Sequence, residues 1–278
     1  MTLLQAIILG IIEGLTEFLP VSSTGHLTVA EGVMGLPIDD PGVTAFTAVI
    51  QVGAIAAVLV YFWADIVRLA MAWFRGLAHA PARSEQGYRF AWYVIIGSIP
   101  IGIVGFLGKD IVAGPLRNLW FVVAALIVWS AVMWAAERVG RQDRGENDVT
   151  LTDALVMGLL QCVALIPGIS RSGATISAGL FRNLDRVAAT RMSFFLSIPA
   201  LTAAGLYQVV TEADAISGSV GWPATVVGTL VSFFVAYAAI AWLLRLVAHH
   251  SISVFIPYRI GLALVIGGLL ATGVLSST

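Results

Sequence analysis

Charge is what this sequence has least of. Asp, Glu, Lys and Arg make up 11% of its 278 residues, against about 25% in an ordinary soluble domain. With 59% hydrophobic residues and a mean hydropathy of +0.93, the composition excludes a soluble domain and predicts an integral membrane protein. A basic excess is missing too. Lys and Arg number 15 against 16 Asp and Glu, a net charge of -1, and nucleic-acid backbones are held by clustered, uncompensated cations. No nucleic-acid partner is expected. The single cysteine, Cys162, excludes an intrachain disulfide and a thiolate metal cluster and reads as small apolar filler. A secretory leader is also lacking. The N-terminal stretch has no positive region or small-residue cleavage site and carries Glu13 and Glu17 where an apolar core would continue, so it is expected to belong to the mature protein.

What is present is a polar interruption that occurs twice. Glu13 to His26 and Gln161 to Thr175 each break an apolar run with hydroxyls, glycines, a proline and charges. A shift of 148 positions lays Ala6 on Ala154, Gly10 on Gly158, Glu13 on Gln161, Ser22 on Ser170, Thr24 on Ser172 and Gly25 on Gly173, and later Phe46 on Phe194 and Ala56 on Ala204. Apolar runs bounded by charge, Gly or Pro then predict the same four elements in halves 1–140 and 150–278 of one membrane domain. In the first half these are a broken pair at 3–19 and 24–34, then spans at 42–63, 90–108 and 118–137. In the second they are a broken pair at 152–166 and 172–182, then spans at 188–210, 223–245 and 257–275.

Loop charge sets the orientation, because short cytoplasmic loops carry the excess of Lys and Arg. Arg68, Arg75, Arg83 and Arg89 mark the 64–89 loop as inside, and Arg138, Arg141 and Arg144 mark the central linker. Arg182, Arg186 and Arg191 mark another inside loop, and Arg245 with Arg259 flank a fourth. Asp39 and Asp40, then Lys109, Asp110 and Arg117, then Glu212 and Asp214 fall in connections read as external. Six spans fit this pattern only if each broken pair enters and leaves on one side. The predicted fold is therefore all-α and polytopic, with six full spans plus two re-entrant helix pairs in an inverted-topology repeat. Non-helical backbone at membrane depth needs protein or a watery cavity around it, so the two breaks are expected to face each other.

The chemistry follows from the residue types. Glu13 and Glu17, one helical turn apart, share a face. With Arg171 they would cost roughly 8 to 10 kcal/mol facing lipid, so they pair with each other or with a ligand. One alternative is a purely structural Glu-Arg network. In the second break Ser170, Arg171, Ser172, Gly173 and Thr175 offer hydroxyls, a guanidinium and backbone amides at a helix start, a setting that suits phosphate. Ser172 and Thr175 could equally cap that helix. In the first break Ser22, Ser23 and Thr24 are candidate caps or hydroxyl nucleophiles, and His26 is a candidate for proton transfer, or else a core histidine bonded to backbone. Together these residues describe phosphoryl transfer, with two carboxylates able to hold a divalent ion on a diphosphate.

At these positions the chain resembles the bacterial undecaprenyl-diphosphatase family, also called the bacitracin-resistance protein family. The Glu/Gln-x-x-x-Glu box reads as Glu13 to Glu17, the Pro-x-Ser-Ser-x-x-His box as Pro20 to His26, and the Pro-Gly-x-Ser-Arg-Ser-x-x-Thr box as Pro167 to Thr175. The resemblance implies removal of the terminal phosphate of undecaprenyl diphosphate, dependence on Mg2+ or Ca2+, and a multi-pass protein of the bacterial inner (cytoplasmic) membrane whose site opens to the periplasmic or outer face. By position, Glu17, Ser23 and Arg171 match the residues the resemblance implies are most important, and Glu13, Thr24, His26, Ser170, Ser172 and Thr175 match supporting positions. The residues' own chemistry adds the expected division of labour, with catalysis by Glu17, Ser23, His26 and Arg171, metal binding by Glu13 and Glu17, and phosphate binding by Thr24, Ser170, Ser172, Gly173 and Thr175. Membrane lipids are expected around the chain, and pairing into a homodimer is left open. The rival class is a transporter, since inverted repeats with broken helices also build transporters. Asymmetry weighs against it: Glu13 has Gln161 as its counterpart, Glu17 has Leu165, and only the second break has an Arg.

Overall fold

The computed structural model describes all residues except 38–39, 109–117, 212–215, 217–219, 274 and 276–278, and the side chains of 208–210. Asp39, Lys109, Asp110, Arg117, Glu212 and Asp214, read above as external markers, lie outside the described residues. Among the described residues the architecture is helical: α1 Leu3–Thr16, α2 Ser23–Val33, α3 Pro41–Tyr61, α4 Trp63–Ala78, α5 Gln86–Leu107, α6 Leu119–Val139, α7 Leu151–Val163, α8 Arg171–Phe181, α9 Arg186–Thr211, α10 Trp222–His249 and α11 Ile256–Ala271. Among the described residues, six helices within α3, α5, α6, α9, α10 and the segment Ile252–Ala271 are long and apolar enough to cross a membrane. Their outward faces keep large apolar side chains such as Ile99, Phe106, Phe121, Val128, Phe234 and Leu264 exposed. Water would penalise that surface and lipid does not, so the chain is a multi-pass membrane protein.

The short helices begin and end by a repeated set of local rules. Thr2 caps α1 and pairs with Gln5, and Thr150 caps α7 and pairs with Asp153, both as capping boxes. The 14 residues of α1 and the 13 of α7 rise only about 20 Å at 1.5 Å per residue, short of a hydrocarbon core of about 30 Å. Pro20 and Pro167 follow shortly after, and a proline disfavours the helical region for the residue before it. The chain re-enters a helix through Ser22 at φ 74° and Ser170 at φ 75°, a left-handed geometry that L residues adopt only under constraint.

Glycine contacts hold each short helix against a long one. Gly10 on α1 meets the backbone of Gly228 on α10, and Gly158 on α7 meets that of Gly97 on α5, each too close for a Cβ. Small residues permit this approach, which in lipid must replace a hydrophobic driving force. Helix α10 also lies on α3, α9 packs on both α3 and α8, and α6 carries α8 and α11. The two breaks are thereby enclosed, with Phe18 edge-on to Phe194 at 5.4 Å between ring centroids.

Three expectations change. The 64–89 segment is not a bare loop: it folds as α4, which presents Trp63, Met71 and Phe74 outward, followed by a 3-10 turn at Ala80–Ser84. The arginines read as orientation markers are also structural ties. Asp153 is fully buried between Arg144 and Arg182, Arg186 binds Glu137 at 2.9 Å, and Arg191 joins Glu146 to Asp65. The hydrogen-bonded Asp153 carboxylate raises the pKa of the Arg144 guanidinium above its already high value. Finally, Arg259 does not flank a loop but lies wholly buried inside α11.

Gly158→Ala should destabilise the protein by about 1 to 3 kcal/mol, because the new methyl overlaps the Gly97 backbone. Gly102→Ala in α5, where a Cβ meets nothing within 4 Å, should be neutral or stabilising by about 0.5 to 1 kcal/mol. Thermal unfolding of the two purified variants in detergent checks the contrast.

Candidate functional site at the paired helix breaks

The two breaks, 146 to 154 residues apart in sequence, are joined by direct hydrogen bonds. Gly168 N donates to Ser22 Oγ at 3.2 Å, and Ser170 Oγ donates to Leu19 O at 3.3 Å. Arg259 completes the junction. Its Nη1 donates to Pro20 O at 2.9 Å and its Nη2 to Gly168 O at 3.0 Å, while Nε reaches Ser130 Oγ at 3.1 Å. One guanidinium thus satisfies a freed carbonyl from each break, which only a rigid fork of donors does well.

Beside this junction, Glu17 ties two chemistry-bearing side chains together. Ser23 Oγ donates to Glu17 Oε2 at 2.9 Å, and Arg171 Nη2 donates to Glu17 Oε1 at 3.2 Å. Arg171 also lies over the Phe18 ring, 5.6 Å from its centroid. Its Nε and Nη1 are buried without a protein partner. Across the cluster the Glu13 carboxylate adjoins that of Glu17, and Glu13 Oε1 is likewise buried and unpartnered. Buried polar atoms are nearly always satisfied. Here Arg171 keeps unused donors and Glu13 an unused acceptor around the Ser23–Glu17 pair, a set that suits an anion next to a cation.

The remaining candidates divide. Thr24 is exposed and lines a cavity of about 180 Å3 together with Glu13. Ser170 Oγ caps α8 by accepting from Gly173 N at 3.3 Å, so the Gly173 amide is already occupied. Ser172 and Thr175 are fully buried. Ser172 Oγ pairs with Ser170 Oγ at 3.1 Å, and Thr175 Oγ1 bonds Arg171 O at 2.9 Å as well as Ser193 Oγ. Their hydroxyls are spent on the protein, and they brace the turn from which Arg171 extends. The described contacts of His26 are with Ser22 and Tyr258 rather than with Glu17 or Arg171. Its Nδ1 contacts Ser22 O at 2.7 Å and so carries a proton, and its Nε2 contacts Tyr258 Oη at 2.6 Å, with the two rings parallel to within 4°. Sequence reasoning missed Arg259 and Tyr258. A lone charge a few residues into the apolar run from Ile256 to Ala271 was the available signal.

Two carboxylates with one free buried oxygen fit a divalent ion. Among the described residues no group of three or more His, Cys, Asp or Glu side chains forms a closed cage. Any ion held by Glu13 and Glu17 would therefore need its remaining oxygen ligands from water or from a phosphate, as Mg2+ commonly takes them.

Comparison with known proteins is uniform. The family described as bacitracin resistance protein BacA matches residues 6–265. Undecaprenyl-diphosphatase 3 of Frankia casuarinae is 60% identical over 278 residues, covering 100% of both chains. Undecaprenyl-diphosphatase 1 of Streptomyces coelicolor is 57% identical over 274 residues, 98% of each, and the undecaprenyl-diphosphatase of Cutibacterium acnes is 51% identical over 284 aligned positions, 100% of each.

Arg259→Met should cost about 1 to 3 kcal/mol for each acceptor left bare, Pro20 O and Gly168 O. Arg259→Lys should recover only part of the loss, because an ammonium cannot fork between both breaks. Thermal unfolding in detergent measures both.

Proposed function

The chain belongs to the bacitracin resistance protein BacA family, and from that membership we propose that it converts undecaprenyl diphosphate to undecaprenyl phosphate, recycling the carrier lipid for cell-wall synthesis. It is an undecaprenyl-diphosphatase, a membrane hydrolase acting on a phosphoanhydride. The observation that carries the site assignment is the pair of unpartnered nitrogens, Nε and Nη1, on the Arg171 whose Nη2 donates to the same Glu17 carboxylate that accepts from Ser23.

In this reading Arg171 Nε and Nη1 bind oxygens of the terminal phosphate and offset the charge that builds in the transition state. Glu17 takes the proton of the attacking oxygen, which is either Ser23 Oγ or a water aligned by it. A new P–O bond forms as the anhydride P–O bond breaks, and the lipid monophosphate leaves. By the serine route a phosphoserine forms and water then releases inorganic phosphate; by the water route phosphate is released directly. Glu13 and Glu17 would hold a divalent cation, which when bound supplies charge neutralisation to the diphosphate. Because both His26 nitrogens are taken, by Ser22 and Tyr258, its part is to fix the first turn of α2 beneath Ser23.

We further infer that the two halves are inverted repeats with re-entrant pairs. Support comes from matched devices 148 positions apart: the capping boxes at Thr2 and Thr150, the glycine contacts at Gly10 and Gly158, and the left-handed serines Ser22 and Ser170. The cavity beside Glu13 is bordered by Thr44, near the turn before α3 that was read as external. Arg144, Arg182, Arg186 and Arg191 gather at the inside loops. This supports a bacterial cytoplasmic-membrane protein whose site opens outward. In a Cys162→Ser background, Pro37→Cys should react with an impermeant maleimide in intact cells and Asn147→Cys should not; the reverse labelling would invert the orientation.

The purified protein in detergent should release phosphate from a C55 diphosphate with Mg2+ or Ca2+, and a chelator should stop it. No release under any divalent-ion condition would favour a transport role. Arg171→Ala should lower turnover by about 10² to 10³-fold in a protein that still folds and inserts, and near-normal turnover would remove Arg171 from the mechanism. Ser23→Ala should abolish turnover if attack is covalent, whereas retained turnover assigns attack to water.

A further inference from the structure

Away from the site, α4 has two apolar faces and the protein packs only one of them. On the packed side Ile66 and Leu69 reach the core, Trp73 meets Trp92 at 5.7 Å between ring centroids, and the Tyr88 ring lies against Gly76. On the other side Trp63, Ala70, Met71, Phe74 and Leu77 fall in one stripe at helical spacing. The four large side chains of that stripe are 44% to 64% exposed. The helix also lies across the bundle. Phe62, just before it, meets Phe195 at 5.2 Å, and Phe195 meets Phe90 at 5.5 Å, while the far end of α4 touches Tyr88 and Trp92. Both ends are therefore level with the first two turns of α5. The 16 residues of α4, about 24 Å of helix, cross one end of the bundle instead of running along a span.

Charge identifies what meets this face. Met71 comes three residues after Arg68 and four before Arg75, so both arginines border the stripe, and both are exposed, as are Arg83 and Arg89. From Trp63 to Arg89 four arginines stand against two carboxylates, Asp65 and Glu85. Asp65 divides its oxygens between Arg68 and Arg191, and Glu85 approaches Arg75 only to 3.8 Å. Positive charge is left over along one edge of an apolar stripe. The stripe also continues the exposed surface of a span, since Val60 in the last turn of α3 is exposed three residues before Trp63. Apolar side chains beneath an edge of guanidiniums, with a Trp at the junction, match the profile of a membrane interface whose headgroups are anionic. We propose that α4 is an interfacial helix that binds anionic phospholipid, with Trp63, Met71, Phe74 and Leu77 among the acyl chains and Arg68 and Arg75 on headgroup phosphates. A second copy of the chain is the competing occupant, and it would have to bring carboxylates to an edge of arginines.

Neither readout needs turnover, so the result is independent of the phosphatase reading. The first locates the stripe. In a Cys162→Ser background, a nitroxide on Phe74→Cys is placed in the full-length protein in vesicles of phosphatidylcholine and phosphatidylglycerol mixed three to one. It should collide with oxygen more than with a water-soluble nickel complex, and a nitroxide on Arg75→Cys should do the reverse. Met71→Cys gives the same reading should Phe74→Cys fail to fold. A stripe label as open to nickel as the label at Arg75 would put the face in water. One shielded from both reagents and broadened by a second spin would put another copy on it. Either result overturns the proposal. The second readout tests the headgroup by native mass spectrometry of the full-length protein titrated with phosphatidylglycerol or phosphatidylcholine. Arg68→Gln and Arg75→Gln should each weaken phosphatidylglycerol binding about fivefold, the equivalent of roughly 1 kcal/mol, and leave phosphatidylcholine binding as it was. Unchanged phosphatidylglycerol affinity in the folded double variant would remove the anionic headgroup from α4 and with it the proposal.

Discussion

The structure depends on how two helices can be broken inside a nonpolar medium. Each break frees backbone carbonyls and amides that lipid cannot satisfy, at a cost of several kcal/mol per group. Neither break solves this alone. Arg259 donates to Pro20 O in one and Gly168 O in the other, and Ser22 Oγ accepts the Gly168 amide across the junction. The breaks must therefore meet, and the glycine contacts that draw α1 onto α10 and α7 onto α5 bring them to one place. Packing serves the junction, and the junction creates the setting in which Glu13, Glu17 and Arg171 are buried together.

Buried ion pairs are poor sources of stability, since desolvation offsets most of their attraction. The Arg171–Glu17 pair is better understood as a restraint on geometry. It holds Glu17 so that one oxygen faces the guanidinium and the other faces Ser23, and it leaves two N–H groups of Arg171 and one oxygen of Glu13 unspent. A network built for stability alone would have closed those valences.

Much of this was legible in the sequence, for a definite reason. A polar residue in an apolar run is conspicuous, so Glu13, Glu17, Ser23 and Arg171 stood out, and Pro20 and Pro167 located the breaks closely. What escaped notice were relations across long sequence distances or disguised by local ones. Arg259 meets Pro20 across 239 positions, and at the start of an apolar run it looked like a loop marker. Helix α4 was hidden because its arginines resembled an inside loop, although its apolar residues follow a helical face. Thr175 was expected at phosphate, but a threonine in a helix readily returns its hydroxyl to the carbonyl one turn back, here Arg171 O.

The two left-handed serines show where symmetry stops and chemistry begins. Ser22 and Ser170 occupy the same backbone geometry, at φ 74° and φ 75°, so the repeat sets the shape of both breaks alike. Their hydroxyls nevertheless differ in use: Ser170 caps its own helix through Gly173, whereas Ser22 makes no cap and accepts from the opposite break. The start of α8 is thus closed and rigid, suited to aiming Arg171. The uncapped start of α2 leaves its first residue, Ser23, bonded only to Glu17 among its described side-chain partners, where its hydroxyl can give up a proton. Equal backbones with unequal caps are enough to turn a duplicated fold into two different halves of one reaction site.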